Sequence, residues 1–407
     1  MTLLSGSARA RLRFNLAMLL AGVGAFALLY VPQPLLPLLT ERFAIGAAEA
    51  GLAVALTSGA MAVGILAGGL LCGGLDRRKL MALSLLLAAL LTFAAGLASD
   101  WRLLLGLRIL TGLALAGVPA VAMAHISAEA RGQAMGGPMG LYVAGTGLGG
   151  VAGRLGASFA ADLLDWRWGF GLMGLAGMGL AAAFFLLLPS PAASVDREKT
   201  DARKALQDML GLMKDRALLL LYLQAFLFMG VFLTAFTFVG FHLGQAPFFL
   251  SQAAIGSIFL LFLIGSVSSA VVGWLTGRLG RERLLPAALA LMACGVVLTL
   301  TLSTPLFLVG LTLLVIGFFG AHAVASSWVS GRAVREAGLA AALYLFFYHL
   351  GSAVVSAVGG LAWQAGGWTG MVAYLLALCL TALGASLVLH RRGRRACDGE
   401  VQTRRAG

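Results

Sequence analysis

The sequence predicts an all-α membrane protein of twelve transmembrane helices in two six-helix, pseudo-symmetric bundles. Three observations carry this expectation. Sixty per cent of the 407 residues are apolar and only 11% are charged, whereas soluble domains hold about 45–50% and about 25% respectively. With a mean hydropathy of +0.96, the chain has room for about twelve crossings at roughly 20 apolar residues each, and none for a sizeable soluble domain. Finally, a basic glycine-rich loop occurs twice. Gly69-Leu-Leu-Cys-Gly-Gly-Leu-Asp-Arg-Arg-Lys-Leu80 returns about 204 residues later as Gly273-Trp-Leu-Thr-Gly-Arg-Leu-Gly-Arg-Glu-Arg-Leu284, with Gly69/Gly273, Leu71/Leu275, Gly73/Gly277, Leu75/Leu279, Arg77/Arg281 and Lys79/Arg283 in register.

Each span is an apolar run bounded by charge or turn residues. The first, near 14–37, opens after Arg9, Arg11 and Arg13 and ends in Pro32-Gln-Pro-Leu-Leu-Pro37. A signal peptide would look similar at the start, but no small-residue cleavage site comes after it. The second (48–71) runs into the first basic loop, the third (80–98) leaves it, and the fourth (102–125) begins past Asp100. The fifth (134–160) starts after Arg131, and the sixth (168–188) lies between Trp166-Arg-Trp168 and Pro189. The longest polar break joins six spans to six and includes a candidate surface helix over Ala202–Lys214. Spans near 217–241, 252–276, 284–302, 306–328, 339–363 and 370–390 complete the set. The expected division is a bundle at 1–189, a linker at 190–216, and a bundle at 217–407 whose arginine-rich tail after His390 frays or lies on anionic headgroups. Leu141-Tyr142, Gly149 and Trp166 recur as Leu343-Tyr344, Gly351 and Trp368, which extends the duplication to the fifth and eleventh spans.

The net charge of +13 points to membrane orientation rather than nucleic acid, because its placement is one-sided. All but five of the 29 lysines and arginines fall in termini, linker and alternate loops. Arg42, Arg102 and Arg167 lie on the other side, and Arg108 and Arg154 lie within spans. Both termini are therefore expected in the cytoplasm. Cys72, Cys294, Cys379 and Cys397 have neither metal-ligand spacing nor a disulfide framework. No His-Glu-x-x-His, Gly-x-Ser-x-Gly, Asp-rich motif or nucleotide-binding loop is present, which argues against an enzyme or a primary pump.

These features resemble the major facilitator superfamily over about residues 14–390. Within it, Phe26-Ala-Leu-Leu-Tyr30, Gln33-Pro-Leu-Leu-Pro37, Met139-Gly-Leu-Tyr142, Gly149-Gly-Val-Ala-Gly-Arg154, Ala325-Ser-Ser-Trp328 and Leu343-Tyr-Leu-Phe346 resemble the bacterial YnfM-type inner-membrane permeases, near the drug-efflux and arabinose-efflux branch. The resemblance implies a monomeric inner-membrane transporter with no cofactor. The family's loop pattern, Gly-x-x-x-Asp-x-x-Gly-Arg-Lys, is only partly kept: Gly73 stands at the Asp position and Asp76 at the second Gly, followed by Arg77 and Arg78. In the repeat, Gly277 replaces the Asp while Gly280 and Arg281 fit. Asp76, Arg77, Arg78 and Arg281 are the expected gating-loop residues, with the family's helix latch either lost or rebuilt on Asp76. Leu104, Arg108, Thr111 and Gly112 match the fourth-span pattern. Gly145, Gly149 and Gly153 keep the glycine spacing of the antiporter pattern, with Gly150 in place of its proline and Arg154 in place of its last glycine.

A charge deep in hydrocarbon costs at least about 2.5–3.5 kcal/mol and normally faces a cavity or a partner. Arg108 and Arg154 each lie about 9 Å below the outer surface at 1.5 Å per residue, and Tyr30 and Gln33 approach the same level. Either they recognise an anionic or strongly polar solute, or the arginines cap backbone carbonyls and hold spans one, four and five together. Leu313 and Ser356 occupy the repeat-related positions. The second half offers His322 and His349, which either carry a coupling proton or are neutral and hydrogen-bonded between helices. Tyr142, Tyr344 and Tyr348, with Trp328, Phe226, Met229 and Gln224, either line the cavity of an exporter of amphipathic aromatic compounds or simply pack. No Asp or Glu falls within a span, so proton coupling would need histidine, a rim carboxylate or the solute. The sequence thus predicts a proton-coupled exporter of a small organic solute working by alternating access, or else an uncoupled or importing facilitator for an anion.

Overall fold

The computed structural model describes residues 8–71, 76–129, 136–188, 202–334 and 336–406. Gly73, Arg131 and the first part of the linker lie outside them. In order, the helices are α1 (Ala8–Leu29), α2 (Pro32–Phe43), α3 (Ala47–Leu71), α4 (Arg77–Gly96), α5 (Trp101–Glu129), α6 (Gly136–Leu163) and α7 (Trp166–Leu187). The short linker helix α8 (Ala202–Leu212) comes next, then α9 (Arg216–Leu243), α10 (Gln252–Ser257), a 3-10 turn (Ile258–Leu260), α11 (Leu261–Leu279), α12 (Arg281–Leu298), α13 (Thr304–Arg332) and α14 (Ala337–Ala406).

These make twelve crossings. Among the described residues, nine stretches are long and apolar enough to span a membrane on their own composition. One of them, Ala337–Leu389, is two crossings, because α14 folds back at Gly366 and Gly367, where φ of +55° at Gly367 suits a residue without Cβ. The remaining two are α6, diluted by its glycines and Arg154, and α12, which opens on Arg281-Glu-Arg283. The backbone of α14 stays helical to Ala406, so the basic tail continues the last crossing as a helix instead of fraying.

The first crossing is broken, which the single span predicted at 14–37 did not include. Pro32 and Pro34 have no N–H to give to the carbonyls of Leu28 and Tyr30. The amide of Gln33 turns back to Tyr30 O at 3.1 Å and so abandons Leu29 O. Three carbonyls are released within the crossing, and only one is recovered by the backbone.

Helix pairing repeats between the halves. α1 packs on α6 as α9 packs on the first part of α14, α3 on α5 as α11 on α13, and α4 on α7 as α12 on the second part of α14. Lipid gives no hydrophobic drive for these contacts, so small residues let backbones approach. A Cβ on Gly145, Gly149 or Gly153 would run into the backbone of Leu19, Val23 or Ala27, and one on Gly351 into that of Phe226. Gly149 and Gly351 are the pair that the sequence repeat aligns, and they perform the same packing task in each half.

Two cross-half contacts also obey the repeat: α6 against α10 and α11, and α3 against α14. The linker helix α8 buries Ala205, Met209 and Leu212 and touches α3 and α14. Asp215 caps α9 by accepting from the amides of Ala217 and Leu218 at 2.8 and 3.3 Å. It also pairs with Arg332 Nε at 2.7 Å. Burial raises the Asp215 carboxyl, but the Arg332 hydrogen bond, the two amides and the Arg332 charge outweigh it and hold the group below the usual carboxylate range.

Gly149→Val should therefore cost about 1–3 kcal/mol of stability by overpacking, read as a lower melting temperature. Gly179→Val, where no atom lies within 4 Å, should change it little. Asp215→Asn should lower stability at neutral pH by no more than about 1 kcal/mol, since the pair is partly exposed. A depressed carboxylate contributes above its unfolded value, so thermal melts of the two proteins should converge as pH falls through and below about 3.9.

Candidate functional site

The break in the first crossing decides where Arg108 goes. Its Nη2 donates to Leu28 O at 3.2 Å and Leu29 O at 2.7 Å, the two carbonyls that Pro32 and the turned Gln33 amide leave open. The side chain is fully buried, and Nε and Nη1 have no hydrogen-bond partner. Of the two expectations for Arg108, this geometry is the carbonyl cap that ties the fourth crossing to the first.

Arg154 is different. Two percent exposed, it donates Nε to Gln33 Oε1 at 2.5 Å and Nη1 to Gly150 O at 2.6 Å, and Nη2 has no protein partner among the described residues. The guanidinium lies over the Tyr30 ring at 4.0 Å and within 5.0 Å of the rings of Phe259 and Phe262 from the other half. Aromatic faces favour a desolvated cation by about 2 kcal/mol or more. Arg154 forms no ion pair with a described carboxylate, and the titratable groups that face it are Tyr30 and Tyr348. The structure brings Arg154, Tyr30 and Gln33 together and places Arg108 behind them in the break.

Gln33 continues across the midline. Its Nε2 donates to Thr237 Oγ1 at 3.1 Å and to Leu233 O at 3.4 Å. A second glutamine reaches in the opposite direction: Gln252 Nε2 donates to Pro34 O at 2.5 Å and Ser158 Oγ at 3.3 Å, while Ser158 Oγ donates to Gln252 O at 2.5 Å. Together these bonds form a two-glutamine clasp between 8–188 and 216–406. It sits at the membrane end away from the termini and α8. Sequence reasoning missed Thr237, Gln252, Ser158, Phe259 and Phe262. Only Ser158 carried a readable signal, being one helical turn beyond Arg154 on the same face.

From Arg154 a run of rings leads toward the end that bears the termini. Tyr30 lies 6.1 Å from Phe26, Phe26 lies 6.4 Å from His349, and His349 lies 5.2 Å from Tyr348. Tyr348 is also within electrostatic reach of Arg154 and Tyr30. His322 is next, 5.1 Å from Tyr348, with its Nδ1 hydrogen-bonded to Tyr344 Oη at 2.8 Å. His349 is buried and its Nδ1 has no partner. Tyr142 is buried, its backbone carbonyl meets α1 at Gly22, and its hydroxyl is unpartnered.

The gating-loop residues act on helix ends. Asp76 caps α4 by accepting from the amides of Arg78 and Lys79 at 3.0 and 3.2 Å, and Arg77 is the first residue of that helix. Arg78 Nη2 donates to Phe185 O at 2.6 Å and stacks on the Phe185 ring at 4.3 Å. Arg281 lies against Gly331 in the last turn of α13. Basic groups thus meet the negative ends of α7 and α13. A groove of about 610 Å³ lined by Cys294, Val297, Thr301 and Leu376 is nearly apolar, partly exposed and remote from Arg154, so it belongs to the lipid-facing surface. Among the described residues no group of three His, Cys, Asp or Glu is placed to hold a metal ion.

Comparison with known proteins agrees with this architecture. The chain is 37% identical over 383 residues to the inner membrane transport protein YnfM of Escherichia coli strain K12, covering 94% of this chain and 91% of the relative. It is 32% identical to the MFS-type transporter YybF of Bacillus subtilis strain 168, covering 93% and 94%. A bacterial homologue of the human lysosomal transporter Spinster superposes with a TM-score of 0.77 at 17% identity, over 95% of this chain and 98% of that one. The nucleoside transporter NupG gives 0.71 at 14% identity, over 93% and 98%. Because the Major Facilitator Superfamily model also matches residues 18–330, the chain belongs to that superfamily and is a membrane transporter, not an enzyme.

Proposed function

We propose that the chain is a secondary transporter of a small organic anion, with bundles at 1–189 and 217–407 alternating about Arg154 and the linker 190–216 joining them. The observation that supports this is a buried guanidinium at the meeting of the halves, with an unspent N–H edge and no carboxylate. A cation so placed normally has a partner, and a solute carboxylate or phosphate would supply it in the bidentate geometry that arginine favours.

Termini and α8 face the cytoplasm in this reading, because the flanking loops carry most of the lysine and arginine. The two-glutamine clasp then closes the periplasmic end, and the ring-lined run is the approach from inside. Each clasp bond exchanges for water at a net cost of only about 0.5–1.5 kcal/mol, small enough for the halves to reopen.

Transport is proton-coupled export in our reading, with His349 as the proton carrier. It lies between Phe26 and Tyr348 at the midline and has a free Nδ1, whereas His322 is already engaged by Tyr344. A second reading, uncoupled facilitated movement, is favoured by the absence of any carboxylate inside the spans. The glycine spacing shared with antiporters does not decide between them, since Gly145, Gly149 and Gly153 are all used in packing α6 on α1. The protein acts alone in the bilayer in both readings.

Flux of a labelled organic-anion panel in proteoliposomes tests the proposal. Arg154→Gln should reduce anion flux at least about thirtyfold and leave the melting temperature within a few degrees of wild type. Arg108→Leu should instead destabilise, by about 1–3 kcal/mol for each buried carbonyl left open. Loss of neutral-solute and anion flux alike in Arg154→Gln would refute the anion reading. With an imposed pH gradient, His349→Asn should abolish gradient-driven accumulation while sparing downhill exchange; accumulation that persists would transfer coupling away from His349.

A further inference from the structure

We propose that the cargo is an aryl monocarboxylate, bound with its carboxylate in the plane of the Arg154 guanidinium and its ring extended along the Tyr30, Phe26, His349 and Tyr348 wall. The inference deepens the anion reading and rests on it.

Arg154 is enclosed on most sides. One guanidinium face lies on Tyr30 at 4.0 Å, and the Phe259 and Phe262 rings stand at 5.0 Å. Two of its donor positions are used by Gln33 and Gly150. An anion therefore approaches edge-on, at the Nη2 side. A carboxylate that accepts two parallel bonds from arginine is coplanar with it, so the first atoms of the cargo's body lie in that same plane. In a benzoate-like acid the ring is conjugated with the carboxyl group and stays in plane. In a saturated acid the substituents on the neighbouring carbon project above and below, into space bounded by rings.

Beyond the carboxylate position the wall is aromatic. Phe26, His349 and Tyr348 succeed one another at 5.2–6.4 Å, the range at which offset or edge-to-face aromatic contacts are favourable. Among them sits the buried, unpartnered Nδ1 of His349. A hydroxyl or amino group on the cargo's ring, across from the carboxyl, would pair with it.

The number of charges is constrained as well. Arg108 is the other cation in the spans, and it is enclosed by the first crossing and bound to Leu28 and Leu29. One guanidinium edge facing the cargo matches one negative charge. A second anionic group on the cargo would have to reach Arg108, whose Nε and Nη1 are unpartnered but shut off by full burial.

The test uses purified full-length protein and four probes: benzoate, 4-hydroxybenzoate, cyclohexanecarboxylate and the neutral benzamide. Titrations are followed by the ligand-induced rise in melting temperature, because a ligand that prefers the folded state raises it. Benzoate should bind at least about fivefold more tightly than cyclohexanecarboxylate, as expected for one added aromatic contact. 4-Hydroxybenzoate should exceed benzoate in wild type but not in His349→Phe, and benzamide should not bind measurably. Arg154→Gln should remove benzoate binding, and Arg154→Lys should keep part of it. Equal affinity for benzoate and cyclohexanecarboxylate overturns the aryl class and leaves the anion reading standing. Binding of benzamide at the strength of benzoate, or of neither acid, overturns both. The wild-type series alone decides the class if any variant fails to fold.

Discussion

A helix that breaks inside hydrocarbon must find donors for the carbonyls it releases, and this demand organises the protein's centre. Pro32 and Pro34 remove two amide donors, and the Gln33 amide can replace only one. In water the open carbonyls of Leu28 and Leu29 would be hydrated; in lipid each would cost several kcal/mol. Arg108 supplies both bonds from one nitrogen. The break therefore needs a donor from another crossing, and Arg108 on the fourth supplies it and ties α5 to the end of α1. Tyr30 and Gln33 sit at the turn itself, so their positions beside Arg154 come from the same contact. The paired prolines also leave the start of α2 without free amides, which assigns the positive character of the site to Arg154 rather than to a helix end.

Arg154 and the clasp are then one connected network. Gln33 accepts from Arg154 with its carbonyl and donates across the midline with its amide, so a change at the guanidinium is felt at the contact between halves. Gln33 and Thr237 are 204 residues apart, the offset of the internal repeat. Near-equivalent positions of the first and seventh crossings thus touch each other, as expected where a pseudo-two-fold axis passes. Ser158 and Gln252 have repeat counterparts at Gly360 and Ala48, which also meet, but through apolar contact. The symmetric framework supplies two like junctions, and polarity has been placed in only one of them. Such a junction is held by neutral hydrogen bonds whose net worth is modest, which suits an interface between two states a few kcal/mol apart.

Much of this is legible in the sequence. Apolar runs of membrane length, the duplicated basic loop and the aligned Gly149 and Gly351 determine the number of crossings and their doubling, because lipid leaves few ways to satisfy a backbone. Intramembrane charge singles out Arg108 and Arg154, and proximity in depth joins Arg154 to Tyr30 and Gln33. What stays hidden is relational. Depth along a helix does not say which face a side chain takes, so Arg108 and Arg154 look equivalent in sequence although one is committed to carbonyls and the other opens between halves. Phe259, Phe262 and Thr237 carry no sequence mark, since phenylalanine and threonine in an apolar run are ordinary packing residues until a partner half brings a cation to them. The loop pattern alone leaves Asp76 open to a latch role; its position one residue before α4 makes it an N-cap, and the α4 amides take its carboxylate.

The two halves keep one fold and divide the chemistry. Leu313 and Ser356 replace the arginines at repeat-related sites, and the second half instead carries His322, His349, Tyr344 and Tyr348. A permanent cation cannot be discharged by ordinary pH changes, whereas imidazole exchanges its proton near neutrality in water. Placing both functions in one half would put a protonated histidine beside an unbalanced guanidinium with no acid between them, and like charges in a low dielectric repel strongly. In the proposed alternating reading the two are separable across the midline, because opening one end draws the halves, and with them the two kinds of group, apart.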